Sequence, residues 1–184
     1  MHILKLFNLS AALLLTSLLA FFQVSKASAE VAEQSAQHFV VKHSFTTQRS
    51  PAAVYHQFGQ VQRWWEPSHS FAGIANNLYF NFVDQRCFCE KLADGGFVEH
   101  LAVIHVQPEK KVVFSGGLGP LQEQPVSGKL IWQFKPVDKT SDKGTQVTLE
   151  YRVFGHIVGG MKKWPVAVDF VLGTQLGNLQ KLLE

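Results

Sequence analysis

The sequence has 184 residues, of which 46% are hydrophobic and 17% charged, and it carries two cysteines and a formal net charge of +3. This balance excludes an intrinsically disordered polymer, a collagen-like rod and a miniprotein held together by disulfides. The sequence contains no cluster of basic residues, so its charge pattern does not indicate binding to nucleic acid or to an anionic membrane.

The first 29 residues have the pattern of a secretory signal peptide. Lys5 precedes an apolar run over 9–22, and Ala27-Ser28-Ala29 matches the small-residue cleavage pattern. The apolar run has about 14 residues, fewer than the roughly 20 that span a bilayer. The sequence therefore predicts a signal peptide over 1–29, export to a bacterial periplasm or to the medium, and no stable membrane insertion after cleavage.

The rest of the chain is predicted to be a polar, loose leader over 30–37 and one domain over 38–184. A chain of about 150 residues can bury a single core. Residues 38–46 alternate as in a strand, Ser50-Pro51 is typical of a helix start, and a second short helix is expected over 61–65. Alternating apolar residues and turn signals then predict strands at 78–83, 87–92, 97–106, 112–115, 128–134 and 146–154.

The C-terminal segment changes period and predicts one long amphipathic helix that begins near Trp164. Its apolar positions lie three or four apart, and Gln175 is assigned to another, polar face. A mostly antiparallel sheet has one face to cover, and such a helix can cover it. We therefore expect an α+β fold in which a curved antiparallel sheet of about seven strands encloses a space with the terminal helix.

Several motifs resemble the START-related helix-grip superfamily (SRPBCC). They are the Ser-Pro helix start, Arg63-Trp64-Trp65-Glu66-Pro67, Cys87-Phe88-Cys89-Glu90, Gly144-Thr145 before the last strand, and the closing helix. Within that superfamily they are similar to the polyketide cyclase/dehydratase-like or chaperone-ATPase-activator-like branch. The resemblance implies a helix-grip fold with an internal cavity for a hydrophobic or amphipathic small molecule. It does not select an activity, since the superfamily includes carriers, enzymes and interaction modules. We expect no cofactor.

Cys87 and Cys89 lie two apart, so on a strand both side chains point to the same face. Their α-carbons would be about 6.6 Å apart in a regular strand, near the upper end of disulfide geometry, so a bridge would require a bulge or strain. The alternatives are two small buried side chains or a weak metal site in which His100 or His69 supplies a further ligand.

Glu90 and His100 are the main candidates for acid–base chemistry. Pairing about the turn Asp94-Gly95-Gly96 places His100 opposite either Cys89 or Glu90. In the first case His100 shares a face with the cysteines. In the second it meets Glu90, and a carboxylate that faces an apolar cavity is suited to general acid–base work. His43, His56 and His156 have no evident partner.

Residues 69–73 form a candidate lid. The glycine-rich segment 116–121 lacks the Gly-Lys-Ser/Thr ending of a phosphate loop, and we interpret it as a hairpin loop at the cavity rim. Ligand contacts are expected from Trp64, Trp65, His69, Phe80, Phe82, Cys87, Cys89, Glu90, His100, Leu118, Trp132 and Leu172.

The sequence thus predicts an exported protein that binds a hydrophobic small molecule. One alternative is a cyclase, dehydratase or hydrolase that uses Glu90 and His100, with His69 or Cys87 assisting. Another is a metal- or redox-responsive protein that uses Cys87 and Cys89. The sequence does not indicate the oligomeric state.

Overall fold

The computed structural model describes residues 28–138, 140 and 143–184 and has the predicted α+β architecture. The predicted signal peptide over 1–29 lies almost wholly outside these residues. The strands are β1 (Ser28–Gln34), β2 (His38–Thr47), β3 (Leu78–Asn81), β4 (Cys87–Lys91), β5 (Phe97–Gln107), β6 (Lys111–Ser115), β7 (Val126–Pro136) and β8 (Thr145–Gly155). The α-helices are α1 (Pro51–Phe58) and α2 (Trp164–Leu183).

The strands form one curved, unclosed antiparallel sheet in the order β1-β2-β8-β7-β6-β5-β4-β3. Each strand from β4 to β8 pairs with its sequence neighbour, while β2 joins the other side of β8. The helix α2 packs against β1 and β2. The sheet therefore presents its inner face to α2, as the sequence predicts.

The expectations of a loose leader over 30–37 and of about seven strands are wrong. Residues 28–34 form β1, which pairs with β2 so that Val31 lies opposite Val41. Ser35 closes the turn between them, because its hydroxyl accepts hydrogen bonds from the backbone N–H groups of Gln37 (3.2 Å) and His38 (3.1 Å). Without β1, the edge of β2 would expose unpaired backbone groups. The sheet has eight strands, and the short helices follow the second of them.

The start of α1 is confirmed. The Ser50 hydroxyl accepts a hydrogen bond from the Ala53 N–H group (3.3 Å), and Pro51 occupies the first position, where no backbone donor is needed. Val54 and Phe58 form the buried face of this helix. The helix therefore contributes an aromatic ring to the core.

The second short helix is a 3-10 turn over Val61–Arg63, shorter than expected. The start of α2 at Trp164 is confirmed, with Pro165 in its first turn. Its buried leucines are Leu172, Leu176, Leu179 and Leu183. In the part of the chain that the structure describes, no helix is long and apolar enough to cross a membrane.

One part of the core, here called the aromatic cluster, consists of Phe58, Trp64, Phe80, Trp132 and Phe134. The ring of Phe58 lies 5.0 Å from those of Phe80 and Trp132 and 5.1 Å from that of Phe134, measured between centroids. Such pairs stabilise a core by about 0.5–1.5 kcal/mol each beyond the area they bury. The aromatic cluster fills the space between α1 and the central strands.

Candidate functional site

A partly open cavity of about 350 Å³ lies next to the aromatic cluster. Its walls come from residues 66–73 (the lid loop), residues 116–121 (the glycine loop), β5 and the first half of α2. The lining is mainly apolar and consists of Trp65, Ser68, His69, Ser70, Phe71, His100, Leu118, Gly119, Pro120, Leu121, Trp164, Ala167, Val168, Val171 and Leu172. Its size and composition fall within the range of sites for small organic molecules.

His100 reaches the cavity wall because β5 contains an extra residue. Phe88 lies opposite Leu101 and Cys89 lies opposite Glu99, which leaves His100 without a partner in the ladder. A bulge of this kind redirects a side chain. The predicted register that would place His100 opposite Cys89 holds at Cys87–Ala102 and Phe88–Leu101, but the bulge shifts it by one residue, so His100 is opposite neither Cys89 nor Glu90. Its ring stacks on that of Phe88, 4.7 Å away, on the inner face of the sheet.

Glu90 is completely buried, and its carboxylate accepts three hydrogen bonds. Oε2 accepts from the Phe71 N–H group (3.0 Å) and lies 2.9 Å from His100 Nε2, while Oε1 accepts from the Ala72 N–H group (2.6 Å). Hydrogen bonds to a charged acceptor are stronger than those between neutral groups. Glu90 therefore ties the lid loop to the sheet and orients His100.

Burial is the main influence on the protonation of His100, which is 3% exposed. Exclusion of water lowers the pKa of His100, while the hydrogen bond and the charge of Glu90 act in the opposite direction. The net effect favours a neutral imidazole at pH 7.

His69 lies on the lid loop and contacts α2 through Gln175. Gln175 Nε2 is 2.8 Å from His69 Nδ1, and Gln175 Oε1 accepts a hydrogen bond from the Glu66 N–H group (2.7 Å). Gln175 is completely buried, so its assignment to a polar face is wrong. Burial is tolerated because both ends of the amide have partners. These bonds tie the lid loop to the helix.

The glycine loop is positioned by Tyr151, a residue that no sequence motif singles out. The buried Tyr151 hydroxyl accepts a hydrogen bond from the Leu118 N–H group (2.8 Å) and donates one to the Gly116 carbonyl (2.9 Å). Burial raises the pKa of Tyr151, which keeps this donor protonated. A Cβ at Gly117 would lie 2.5 Å from the Leu121 carbonyl oxygen, so glycine is needed for this loop path. The predicted place of the glycine loop at the cavity rim is confirmed.

The residues predicted to contact a ligand lie in three places: at the cavity, in or against the aromatic cluster, and in the disulfide described below. Trp65, His69, His100, Leu118 and Leu172 line the cavity, and Glu90 lies directly behind His100. Trp64, Phe80 and Trp132 belong to the aromatic cluster, and Phe82 packs against it, so none of these four lines the cavity. The adjacent tryptophans therefore serve different regions: Trp64 fills the core and Trp65 walls the cavity.

Cys87 and Cys89 form a disulfide on the face opposite the cavity. The ring of Phe88, between them, points inward to Trp65 and His100, so the two sulfurs point outward. Their α-carbons are 5.4 Å apart, closer than the separation of about 6.6 Å in a regular strand. Because the cysteines lie on the other face of the sheet from His100, they do not line the cavity. Because they are bonded to each other, they offer no thiolates to a metal.

His43, expected to lack a partner, is buried beneath α2 with its Nε2 3.0 Å from Asp169 Oδ1. Burial lowers the pKa of His43, and the charge of Asp169 opposes this effect. No local sequence signal links the two residues, since one lies on the first predicted strand and the other on the last helix. The pair lies outside the cavity lining.

No protein-family model matches the chain, and its sequence matches no curated protein. The fold is nevertheless shared with solved structures. CalU16 from Micromonospora echinospora has a TM-score of 0.55 at 10% identity, with 86% of each chain covered. The match to protein MLL2253 from Mesorhizobium loti has a TM-score of 0.53 at 14% identity and covers 78% of this chain and 96% of that protein. XoxI from Bacillus cereus has a TM-score of 0.54 at 14% identity and covers 78% of this chain and 94% of its own. These similarities concern the fold alone.

Proposed function

We propose that this chain is a helix-grip protein of the START-related superfamily (SRPBCC) that binds a hydrophobic or amphipathic small molecule between its sheet and α2. The order of the elements, the curved antiparallel sheet and the fold shared with CalU16 support the assignment to the superfamily. The observation that carries the binding function is the partly open, mainly apolar cavity, which has a buried imidazole in its wall.

Copurification of a ligand tests this function. Native mass spectrometry of the purified protein, before and after exposure to a library of apolar compounds, is expected to show a bound small molecule. Val171 lines the cavity, so Val171→Trp fills it and is expected to abolish the bound mass. Val166, on the same helix, is 68% exposed and outside the lining, so Val166→Trp is the matched control and retains it. No bound mass in the wild-type protein, or equal binding by both variants, contradicts the function.

We also propose that the protein is exported to the periplasm or the medium. The signal-like pattern before Ser28 supports this, and so does a disulfide, which persists mainly in oxidising compartments. Fractionation of cells that express the full chain, followed by N-terminal sequencing, is expected to find an exported protein that begins near Glu30. A full-length cytosolic product contradicts export.

An enzyme of the cyclase, dehydratase or hydrolase type is the second candidate, favoured by one observation. Glu90 and His100 meet at 2.9 Å beside the cavity, and a carboxylate that orients an imidazole is a recurrent acid–base arrangement. The disulfide removes Cys87 as an assisting group, and His69 remains. Incubation with the copurified molecule, followed by mass spectrometry, is expected to show conversion by the wild-type protein and none by His100→Phe. Equal conversion by both contradicts catalysis.

A further inference from the structure

The hydrogen bonds around the two cavity histidines determine which ring nitrogen of each carries a proton. For His69, the Glu66 N–H group can only donate, so the Gln175 oxygen must face it and the Gln175 NH₂ group must face His69. His69 Nδ1 is therefore an acceptor. A neutral imidazole with a bare Nδ1 carries its proton on Nε2.

The same reasoning applies to His100. The N–H groups of Phe71 and Ala72 can only donate, so both oxygens of Glu90 act as acceptors. An ionised carboxylate has no proton to donate, so the proton in the contact between Glu90 and His100 lies on His100 Nε2. In the neutral ring, Nδ1 of His100 is then a bare acceptor.

One nitrogen of each ring makes no hydrogen bond to any residue that the structure describes. These nitrogens are Nδ1 of His100 and Nε2 of His69. Among the described residues, those that line the cavity include no lysine, arginine or carboxylate. The hydroxyls of Ser68 and Ser70 donate to Glu66 and to the Pro67 carbonyl. The cavity thus offers one strong acceptor, on His100, and no cation to balance an anionic ligand.

We infer that the cavity selects an uncharged, apolar molecule bearing a hydroxyl group, such as a phenol or an alcohol, whose O–H donates to His100 Nδ1. The His69 N–H group is the donor available to an oxygen on the same molecule. An ether of the same shape would leave the buried acceptor unpaired, and a carboxylate would have to lose its hydration without a cation to replace it. This inference rests on the proposed binding function and specifies its ligand class.

Three naphthalene derivatives of similar shape test it by calorimetric titration at pH 7. We expect 2-naphthol to bind about tenfold more tightly than 2-methoxynaphthalene, with 2-naphthoate the weakest. His100→Phe is expected to bring the two neutral affinities together. His56→Phe, at an exposed position on α1, is the matched control and should keep the tenfold ratio.

Two results would show that the hydroxyl preference is wrong while the binding function stands. The ether could bind as tightly as 2-naphthol, or 2-naphthoate could bind more tightly than 2-naphthol. If none of the three binds, both are wrong.

Nitrogen-15 NMR of the histidine rings provides a measurement on the wild-type protein that does not depend on any variant folding. At pH 7, His69 and His100 are both expected to carry the proton on Nε2 and none on Nδ1. A proton on Nδ1 of His100 would overturn the inference, because the cavity would then offer a donor where we expect an acceptor.

Discussion

Phe58 and His100 lie in neighbouring parts of the same fold that are built on opposite principles. Around Phe58, interlocked rings fill the space between α1 and the sheet. Around His100, a cavity of about 350 Å³ remains, walled by loops that are held by hydrogen bonds to Glu90, Gln175 and Tyr151. A packed region and an open cavity therefore lie side by side within one core. The aromatic cluster stabilises the fold, and buried polar side chains hold the cavity open.

The largest effect is expected in the aromatic cluster. Phe58→Ala removes a completely buried ring and leaves a void, which costs about 3–5 kcal/mol of unfolding free energy. Urea denaturation measures the loss. Phe97→Ala, at a position that is 73% exposed, should change the unfolding free energy by less than about 0.5 kcal/mol. Similar losses for the two variants would show that the cluster does not stabilise the fold.

Glu90→Gln is expected to have the next largest effect and to lower the free energy of unfolding by about 2–3 kcal/mol. The NH₂ group of the new amide would face a backbone N–H group, so that buried N–H group loses its acceptor and the lid loop loosens. Urea denaturation and limited proteolysis of residues 66–73 report the two effects. Glu99→Gln, at an exposed position on β5, is the control and should behave like the wild-type protein. An equally stable Glu90→Gln variant with an uncut lid loop would contradict this role.

Stability is expected to decrease as the pH falls below about 6.5. Burial lowers the pKa of His43 and His100 in the folded protein, whereas the pKa of a histidine in the unfolded chain is about 6.5. As the pH falls below about 6.5, the unfolded chain therefore binds more protons than the folded protein. From pH 7 to pH 5.5 we therefore expect the free energy of unfolding to fall, because the unfolded chain takes up protons that the two buried imidazoles resist. Urea denaturation across this range measures the loss.

His43→Gln identifies the source of that pH dependence. It removes one of the two buried histidines and should roughly halve the slope of the free energy of unfolding against pH. His56→Gln, at an exposed position, should leave that slope unchanged. A slope that is unaffected by His43→Gln would show that burial of His43 does not control the response.

The smallest effect on stability is expected at the cavity. Val171 is half-buried and already borders empty space, so Val171→Ala should cost less than about 1 kcal/mol. Removal of its methyl groups should still weaken the binding of 2-naphthol several-fold, because apolar contact with the ligand is lost. Parallel denaturation and calorimetry measure both quantities. A large loss of stability with unchanged affinity would show that Val171 belongs to the packed core.

Periodicity predicts the helices and most strands well, because β2, β7 and β8 bury alternate residues and the buried residues of α2 lie three or four apart. It fails for β1, whose polar residues carry no clear alternation and whose pairing depends on the turn at Ser35. It also fails at His100, since one inserted residue changes the register and no local signal marks it. It misplaces Gln175 because the partner of that side chain, Glu66, is 109 residues away along the chain. The sequence therefore predicts a cavity and part of its lining, but not the distant contacts that hold its walls.

A crystal structure with a brominated naphthol would locate the ligand through the anomalous signal of bromine. We expect one bromine site within the cavity bounded by His100, Leu118 and Leu172, with the naphthol oxygen at hydrogen-bond distance from His100 Nδ1. Bromine found only on the outer face of the sheet, or a cavity that stays empty at saturating ligand, would contradict this expectation.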